Sequence, residues 1–258
     1  MLLVSWNVAG RARRVREQGR ALLALEPDVV CLQEMTAASA VAWVELLAAA
    51  GLAVRMAELP RARESSRPLA VMTAARSPAL EPLAVDGVPW PERVLAVRTA
   101  AGLEVVNVHS PISQKPDLAK VRTHEAVYRH LAGGSGPRLV CGDLNTPRRE
   151  HPDGSVWTFA RSNRGVLRPE RGERWDAAET ALVRGLGTFG FRDAFREVHG
   201  FAEKSPSWEW PRTGGGYRLD HLVVSTEIDV SGCDYRHDWR KELGLSDHSA
   251  LVAELEID

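Results

Sequence analysis

Six short polar signatures, each placed at the end of an apolar run of strand-like length, constrain this chain most. They are SWN at residues 5–7, LQE at 32–34, NVH at 107–109, GDLN at 142–145, RLDH at 218–221 and SDH at 246–248. An apolar strand is a rigid support, and a side chain at its end can meet side chains from the ends of other strands. The pattern therefore predicts several strands that converge on one polar site.

The side chains at these strand ends favour a hard divalent cation. Mg²⁺ prefers oxygen ligands and keeps several waters, so one or two carboxylates and an amide oxygen suffice. Glu34, with Asn7 and Asp247 nearby if the strand ends converge, meets that requirement. Zinc is disfavoured, because neither a thiolate cluster nor a His-x-x-x-His spacing is present. We therefore expect a magnesium-type site.

A second group of residues at the strand ends is suited to acid–base chemistry. Asp247 and His248 are adjacent, so in an extended segment their side chains point in opposite directions. Asp220 is the better partner for His248, since a carboxylate fixes the imidazole tautomer and raises its basicity. Asp143 and Asn145 are two residues apart and share one side of an extended segment. Together these groups predict metal-assisted hydrolysis of a phosphate ester, with either Asp143 or His248 as the base.

The length and composition favour a single globular domain over residues 1–258. Site residues run from Asn7 to His248, and two independent domains would divide them. The formal net charge of −1 excludes a uniformly basic nucleic-acid coat but not a local basic patch. The sequence shows no signal peptide, no apolar stretch long enough to span a membrane and no Cys-x-x-Cys motif. We expect a cytoplasmic, reduced protein, monomeric and without an obligate protein partner.

The apolar runs predict many strands with helices interspersed among them. Strands are expected over residues 2–8, 28–32, 69–73, 94–98, 103–108, 138–141, 219–225 and 249–257, and helices over 13–25, 36–50, 117–131, 176–186 and, briefly, 191–198. Residues 146–173 have no clear period and are expected to form a long loop. This mixture indicates packed sheets flanked by helices rather than one parallel sheet.

The ordered set of six signatures resembles the endonuclease/exonuclease/phosphatase superfamily, which includes pancreatic-type deoxyribonuclease and exonuclease III. The resemblance implies an α+β fold, a four-layer α/β/β/α sandwich of two packed, mostly antiparallel sheets flanked by helices. It also implies a phosphoesterase that depends on Mg²⁺ or Mn²⁺. By similarity, Glu34 is a metal ligand, Asn7 and Asp247 contribute to the metal or phosphate site, Asp143 and Asn145 position the nucleophilic water, and Asp220 orients His248.

The chain departs from individual branches of that superfamily. Abasic-site endonucleases tend to carry an acidic residue where this chain has Ala9, and a Tyr where it has His109. A His at that position is typical of deoxyribonuclease-like and sphingomyelinase-like branches, where it contacts the phosphate or assists the leaving group. The acidic partner that deoxyribonucleases place before the following strand is not evident around Arg67 and Pro68. The segment 207–220 instead resembles the aromatic loop of exonuclease III-like enzymes.

Basic and aromatic residues near the signatures point to a polyanionic substrate. Arg11 and Arg148 follow two of the signatures, and guanidinium groups suit phosphate oxygens. A solvated helix face explains the arginines at 13–16 equally well. For Trp208 and Trp210, packing is the favoured interpretation and stacking on a base or sugar is the alternative, which would make Trp208 and Tyr217 substrate contacts.

The remaining polar residues have simpler interpretations. Asp193 is expected to cap a helix or to accept a buried hydrogen bond, and His221 to point away from the site. Three other histidines, His124, His130 and His237, are expected to face solvent.

Three functions follow from the sequence. The preferred one is a nuclease that cleaves nucleic-acid phosphodiesters. A phosphatase or phosphodiesterase acting on a lipid, an inositol phosphate or another small phosphoester is the alternative, and a binding module that has lost the chemistry is the third.

Overall fold

The structure is a computed structural model that describes residues 1–60, 68–112, 118–210, 212 and 214–257. Its strands are β1 (Leu2–Asn7), β2 (Val29–Met35), β3 (Ala53–Met56), β4 (Ala70–Ala75), β5 (Leu80–Leu83), β6 (Val94–Thr99), β7 (Glu104–His109), β8 (Arg138–Asp143), β9 (Arg149–Glu150), β10 (Val156–Trp157), β11 (Arg192–Asp193), β12 (Trp208–Glu209), β13 (Gly216–Tyr217), β14 (Asp220–Val224), β15 (Ile228–Arg236) and β16 (Ala250–Ile257). Its helices are α1 (Val15–Leu23), α2 (Ala37–Ala49), α3 (Ala119–Gly133), α4 (Gly172–Val183), α5 (Ala194–His199) and α6 (His237–Lys241), with short 3₁₀ turns at Ala12–Arg14, Pro91–Arg93 and Gly185–Phe189.

Most of these strands form two six-stranded sheets. The first sheet has the order β15-β16-β1-β2-β4-β3, and the second has the order β11-β14-β8-β7-β6-β5. Each contains one parallel pair, β1 with β2 and β7 with β8, while its other pairs are antiparallel. The expected pair of mostly antiparallel sheets is confirmed.

The alternation of side chains along each strand explains why the sheets stack. Leu3 of β1 packs between the two sheets with residues such as Val105 and Leu139. Its neighbour Val4 points to the opposite face, where it joins Trp43 and the other apolar residues of α1 and α2. Adjacent strand residues face opposite sides of a sheet, so a strand that is apolar throughout must be covered on both faces.

The second sheet is covered in the same way by α3 and α4. Val106 and Val140 pack on its outer face against Val127 and Leu131 of α3 and Leu182 of α4. The layers are therefore helices, sheet, sheet, helices, as the resemblance implied. Within the part of the chain that the structure describes, no helix combines the length and the apolarity needed to cross a membrane.

Several sequence expectations need correction. Residues 146–173 are not an unstructured loop, because they contain the hairpin β9–β10 and the first residues of α4. The sequence analysis did not predict β15, because its Asp, Ser and Gly residues interrupt the alternation of apolar and polar residues. The register of β15 with β16 also shifts between Val230 and Gly232. The predicted start of α3 at residue 117 lies outside the described residues.

The histidine predictions are wrong in one case. His124 is fully buried, because α3 packs against α4 as well as against the second sheet. His130 and His237 are partly exposed.

Candidate active site

Three neighbouring strands of the second sheet place His109, Asp143 and Asp220 side by side. The register pairs His109 with Asp143 across β7 and β8, and Asp220 with Asp143 across β14 and β8. Directly opposed residues in a sheet have Cβ atoms about 5 Å apart. The three side chains therefore form a row at one end of the sheet, and all three are buried.

Gly142 makes this row possible. Its φ is +123°, and a Cβ at this position would lie 2.1 Å from the carbonyl oxygen of Val108 on β7. Only glycine lets β8 approach β7 this closely immediately before Asp143.

The first sheet supplies Asn7 and Glu34 to the same place. Asn7 donates from Nδ2 to Asp143 Oδ2 at 3.1 Å and to Glu34 Oε1 at 3.4 Å. Its Oδ1 accepts the backbone N–H of Ala9. Glu34 has a φ of +62° and lies where the register of β2 with β4 shifts between Leu32 and Met35. Such an irregularity re-aims a side chain, and here it points Glu34 into the site.

His248 precedes β16 and is held by the SWN and SDH segments together. The Trp6 indole donates to the His248 carbonyl at 3.1 Å. The Ser246 hydroxyl donates to the Asn7 carbonyl and accepts the His248 backbone N–H. The His248 ring contacts Asp220 Oδ2 through Nδ1 at 2.8 Å, and its Nε2 lies 3.8 Å from Asp143 Oδ2. The predicted pairing of Asp220 with His248 is present in the structure.

The charges of this cluster perturb one another strongly. Burial raises the pKa of Asp143 to about 7; Asp220 and Glu34 add to the rise, and His248 opposes it. Burial would lower the pKa of His248, but the carboxylates of Asp220 and Asp143 outweigh it and raise that pKa to about 10. The buried carboxylates of the cluster therefore carry more negative charge than the single positive charge of His248 can neutralise.

The donor set fits a hard divalent cation. Ligand atoms of Asp143, Asp220 and His248 lie within 4.8 Å of one another. Asp220 Oδ1 is buried without a hydrogen-bond partner among the described residues. Glu34 and Asp220 Oδ1 thus offer the hard oxygen donors that Mg²⁺ and Mn²⁺ prefer.

Two further predicted site residues lie beside the cluster. Asn7 presents its amide nitrogen to Glu34 and Asp143, while its oxygen is engaged by Ala9. The Asp247 side chain is exposed, and its charge contributes to the raised pKa of His248.

Arg93 is a site residue that the sequence reasoning missed. It ends the 3₁₀ turn before β6, and its Nη1 lies 2.6 Å from His109 Nδ1. The same Nη1 can donate to either ring nitrogen, because it also lies 3.3 Å from His109 Nε2. That nitrogen is 3.8 Å from Glu34 Oε1 and 3.9 Å from Asp143 Oδ2. β6 and β7 pair with Val94 opposite Val108, which puts Arg93 opposite His109. Knowledge of this register would have been needed to predict Arg93 as a site residue.

The loop that carries Asn145 is fixed from beneath. Asn145 has a φ of +51°, its backbone N–H donates to Asp143 Oδ1, and its Nδ2 donates to the Ser110 carbonyl at 2.7 Å. Lys120 of α3 donates to the Asn145 carbonyl at 2.6 Å. The side chain of Asn145 therefore braces the loop against β7.

Two residues within the signatures hold the sheets together behind the site. Gln33 of the first sheet donates to Asn107 Oδ1 of the second at 2.8 Å. Asn107 Nδ2 in turn donates to the carbonyls of Met72 and Leu32. These buried amides fix how the two sheet ends face each other.

The residues predicted as substrate contacts make the following contacts in the structure. Arg11 donates to the Gly244 carbonyl at 2.6 Å, next to the SDH segment. Arg148 donates to Asn163 and lies over the Phe159 ring. Trp208 forms an isolated bridge with His248, and its ring is parallel to that of Tyr217 at 6.3 Å. These aromatics pack on one another, as the favoured interpretation held.

Asp193 caps α5, as expected, by accepting the Arg196 backbone N–H. It also accepts two hydrogen bonds from the buried Arg218, and His221 contacts Asp193 rather than the site.

Comparisons with known proteins agree with this geometry. A profile of the Endonuclease/Exonuclease/phosphatase family matches residues 4–248, and the chain belongs to that family. Among curated proteins, none matches the sequence.

Several solved structures share the fold. An AP endonuclease from Archaeoglobus fulgidus is similar with a TM-score of 0.76 at 20% identity, covering 100% of both chains. The 3′-5′ exonuclease NExo from Neisseria meningitidis gives a TM-score of 0.70 at 21% identity, covering 99% of this chain and 100% of that one. A truncated TDP2 from Caenorhabditis elegans gives 0.63 at 17% identity, covering 100% and 97%.

Proposed function

We propose that this chain is a divalent-metal-dependent phosphodiesterase that cleaves nucleic acid. The observation that carries the proposal is the convergence of Asn7, Glu34, His109, Asp143, Asp220 and His248 from two sheets onto one buried cluster. Arg93 adds a guanidinium to the same cluster. Family membership supports phosphoester hydrolysis. Two of the similar structures are named as an AP endonuclease and a 3′-5′ exonuclease, which supports a nucleic-acid substrate.

The electrostatics favour Asp143 as the group that takes the proton from water. A base acts best when its pKa is near the working pH, and burial raises the pKa of Asp143 to about 7. His248, whose pKa is raised to about 10 against the effect of burial, stays protonated at neutral pH. In the proposed mechanism its Nε2–H donates to a phosphate oxygen while Asp220 holds Nδ1.

The remaining residues bind and orient. A divalent ion held by Glu34, with Asp220 Oδ1 nearby, would neutralise charge on the phosphate and leave Asp143 to act as the base. Asn7 Nδ2 and the His109 ring lie in the cluster, where they can contact phosphate oxygens. Arg93 donates to the His109 ring and adds positive charge beside it.

The substrate is tested with purified protein and defined polymers. Labelled single-stranded DNA, duplex DNA, RNA and an oligonucleotide with a 3′-phosphate are incubated with Mg²⁺ or Mn²⁺, alongside inositol phosphates and phospholipids. The proposal expects cleavage of a polymer that stops with chelator and in Asp143→Asn. Asp229→Asn, an exposed carboxylate on β15, is the matched control and keeps full activity. Turnover of only the small phosphoesters or lipids would move the assignment to the alternative function.

Metal binding has a readout that does not depend on turnover. A cation that binds only the folded state raises Tm with its concentration. We expect Mn²⁺ to raise the Tm of the natural protein and of Asp229→Asn, and to raise that of Glu34→Gln much less. An equal rise in Glu34→Gln would remove Glu34 from the ligand set.

A further inference from the structure

The buried side chain of His221 has no role in the chemistry above. β14 presents Asp220 to the cluster, and because adjacent strand residues face opposite sides of a sheet, His221 lies on the other face. It shares that face with Val223, which packs among the apolar residues that cover the second sheet. His221 is completely inaccessible to solvent. A polar side chain in such a place needs hydrogen-bond partners.

His221 finds its main partner in the loop that follows Asp143. Its Nε2 lies 2.8 Å from the Thr146 carbonyl oxygen and 3.1 Å from the Arg218 carbonyl oxygen. Carbonyl oxygens only accept, so Nε2 carries a proton and donates it. On the other side of the ring, Nδ1 lies 3.3 Å from Asp193 Oδ2. Asp193, which caps α5 and accepts from Arg218, therefore holds the ring with Nε2 directed at the Thr146 carbonyl.

The segment that His221 holds carries the donor that orients Asp143. The backbone N–H of Asn145 donates to Asp143 Oδ1 at 2.9 Å. Asp143 Oδ2 then faces the cluster, where it accepts from Asn7 and lies 3.9 Å from His109 Nε2 and 3.8 Å from His248 Nε2. The Asn145 N–H thus sets the rotation of the carboxylate that is proposed to act as the base.

The same segment is held from its other side by the buried ion pair of α3 and α4. Glu179 accepts from the Thr146 hydroxyl at 2.7 Å, and Lys120 donates to the Asn145 carbonyl. Thr146 is fully buried, so its hydroxyl is fixed by Glu179 and its carbonyl by His221. An apolar residue in place of His221 would still cover the sheet, as Val223 does, but would remove the donor to that carbonyl.

We propose that His221 is a positioning residue for the hydrolysis: it fixes the Thr146 carbonyl and, through this segment, the Asn145 N–H that orients Asp143. The effect on turnover rests on the proposed function, whereas the effect on the loop does not. His221 touches neither the substrate nor the reacting atoms in this assignment. Its loss should therefore lower kcat and leave KM nearly unchanged.

Three substitutions at this position separate the donor from the bulk of the side chain. His221→Leu keeps an apolar side chain there without a donor. His221→Gln supplies an amide with two N–H donors for the carbonyls that Nε2 contacts, whereas the amide of His221→Asn is one methylene shorter and falls short of them. We expect kcat to fall about 10- to 100-fold in His221→Leu and His221→Asn, and to recover largely in His221→Gln.

Val224→Ala is the matched control for lost stability. Val224 is fully buried on the same strand and packs between the two sheets, away from the Thr146 carbonyl. Its truncation removes core contacts and should lower Tm, as His221→Leu does, but it should keep the natural kcat. Thermal melts and steady-state kinetics on the same preparations make the comparison.

Amide hydrogen exchange measures the loop without any turnover. NMR of chelator-treated protein gives the exchange rate of the Asn145 N–H relative to the amides of β8. We expect this rate to rise about tenfold in His221→Leu and His221→Asn, the effect of losing one buried hydrogen bond. His221→Gln and Val224→Ala should leave the relative rate close to that of the natural protein.

Each outcome decides the proposal. A natural kcat in His221→Leu and His221→Asn would overturn it, and so would a loss of kcat that Val224→Ala shares or that His221→Gln does not recover. If His221→Leu does not fold, the comparison of His221→Asn with His221→Gln decides. If the natural protein hydrolyses no phosphoester, the proposed function fails and the catalytic role of His221 with it, while the exchange rate of Asn145 still shows whether His221 holds the loop.

Discussion

The ammonium group of Lys120 lies 2.7 Å from the carboxylate of Glu179, and both side chains are almost completely inaccessible to solvent. Burial would lower the pKa of Lys120 and raise that of Glu179, and each charge offsets the other's penalty. Glu179 also accepts hydrogen bonds from Thr146 and from the Phe159 backbone, while Lys120 donates to the Asn145 carbonyl. A buried ion pair thus fixes the loop that follows Asp143.

Lys120→Met should therefore impair both stability and turnover. It leaves the Glu179 carboxylate buried without its counter-charge, which typically costs about 3–5 kcal/mol. Urea unfolding measures this loss. Steady-state kinetics should show a lower kcat with little change in KM, because the variant displaces the Asn145 loop beside Asp143 rather than a residue that binds the substrate.

The double variant Lys120→Met/Glu179→Gln separates the two effects. Removing both charges should recover only part of the stability, because the amide oxygen can still accept from Thr146 and Phe159 but the amide NH2 then faces the Trp175 indole N–H. Turnover should stay low, because the Asn145 carbonyl still lacks its donor. Recovery of turnover along with stability would show that Lys120 serves stability alone.

Gly142→Ala should damage the site through the backbone. The new Cβ would lie 2.1 Å from the Val108 carbonyl oxygen and would push β7 away from β8, which separates His109 from Asp143. We expect a stability loss above about 3 kcal/mol, since overpacking adds to the left-handed strain, and loss of nearly all activity.

Gly102→Ala is the control for backbone strain alone. Gly102 also has a positive φ, +87°, but a Cβ added there would meet no atom of the described residues within 4 Å. It should lose only about 1–2 kcal/mol and keep its activity. Equal losses in the two variants, measured by urea unfolding, would argue against the clash.

The sequence predicts those site residues that lie at the ends of apolar strands, and it misses those that lie elsewhere. His109, Asp143 and Asp220 end or begin apolar strands, and a sheet register then brings them together. Arg93 and Lys120 belong to no such pattern. Arg93 reaches His109 because β6 pairs with β7, and Lys120 reaches the Asn145 loop because α3 is buried beneath that loop. Neither contact can be deduced from the sequence before the strands are paired and the helices are packed.

The same reasoning explains the error at His124. This residue lies on a helix that packs against α4 as well as against the sheet, so the pattern of the helix alone misplaced it. The alternation of adjacent side chains buries His248 and leaves Asp247 exposed, and a role of Asp247 at the metal or phosphate stays a prediction.

Arg93→Met should lower kcat/KM without unfolding the protein. The variant removes the donor to His109 Nδ1 and the positive charge behind it. A hydrogen bond to a charged group contributes about 1.5–3 kcal/mol, so kcat/KM should fall by about 10- to 150-fold. Arg98→Met, which removes a half-exposed arginine from β6 paired with Glu104, is the matched control and should retain kcat/KM. Equal kinetics for both variants would remove Arg93 from the site.

Acid stability should depend on Glu150. Burial would raise the pKa of Glu150, but Arg218 and Arg196 outweigh it and hold the pKa at about 2. Because the folded-state pKa lies below the ordinary value of about 4.3, the carboxylate stabilises the fold above that pH, and the stabilisation is lost as the pH falls toward 2. Glu150→Gln removes this contribution and should cost about 3 kcal/mol at pH 7, since two buried guanidinium groups lose a shared partner.

The difference between Glu150→Gln and the natural protein should be constant from pH 7 to about pH 5 and should shrink as the pH falls further, because protonation neutralises Glu150 in the natural protein too. Urea unfolding over this pH range measures it. Glu256→Gln, an exposed carboxylate on β16, should show a small difference that hardly varies with pH. A Glu150→Gln difference that stays constant down to pH 3 would mean that the carboxylate is not held ionised by Arg196 and Arg218.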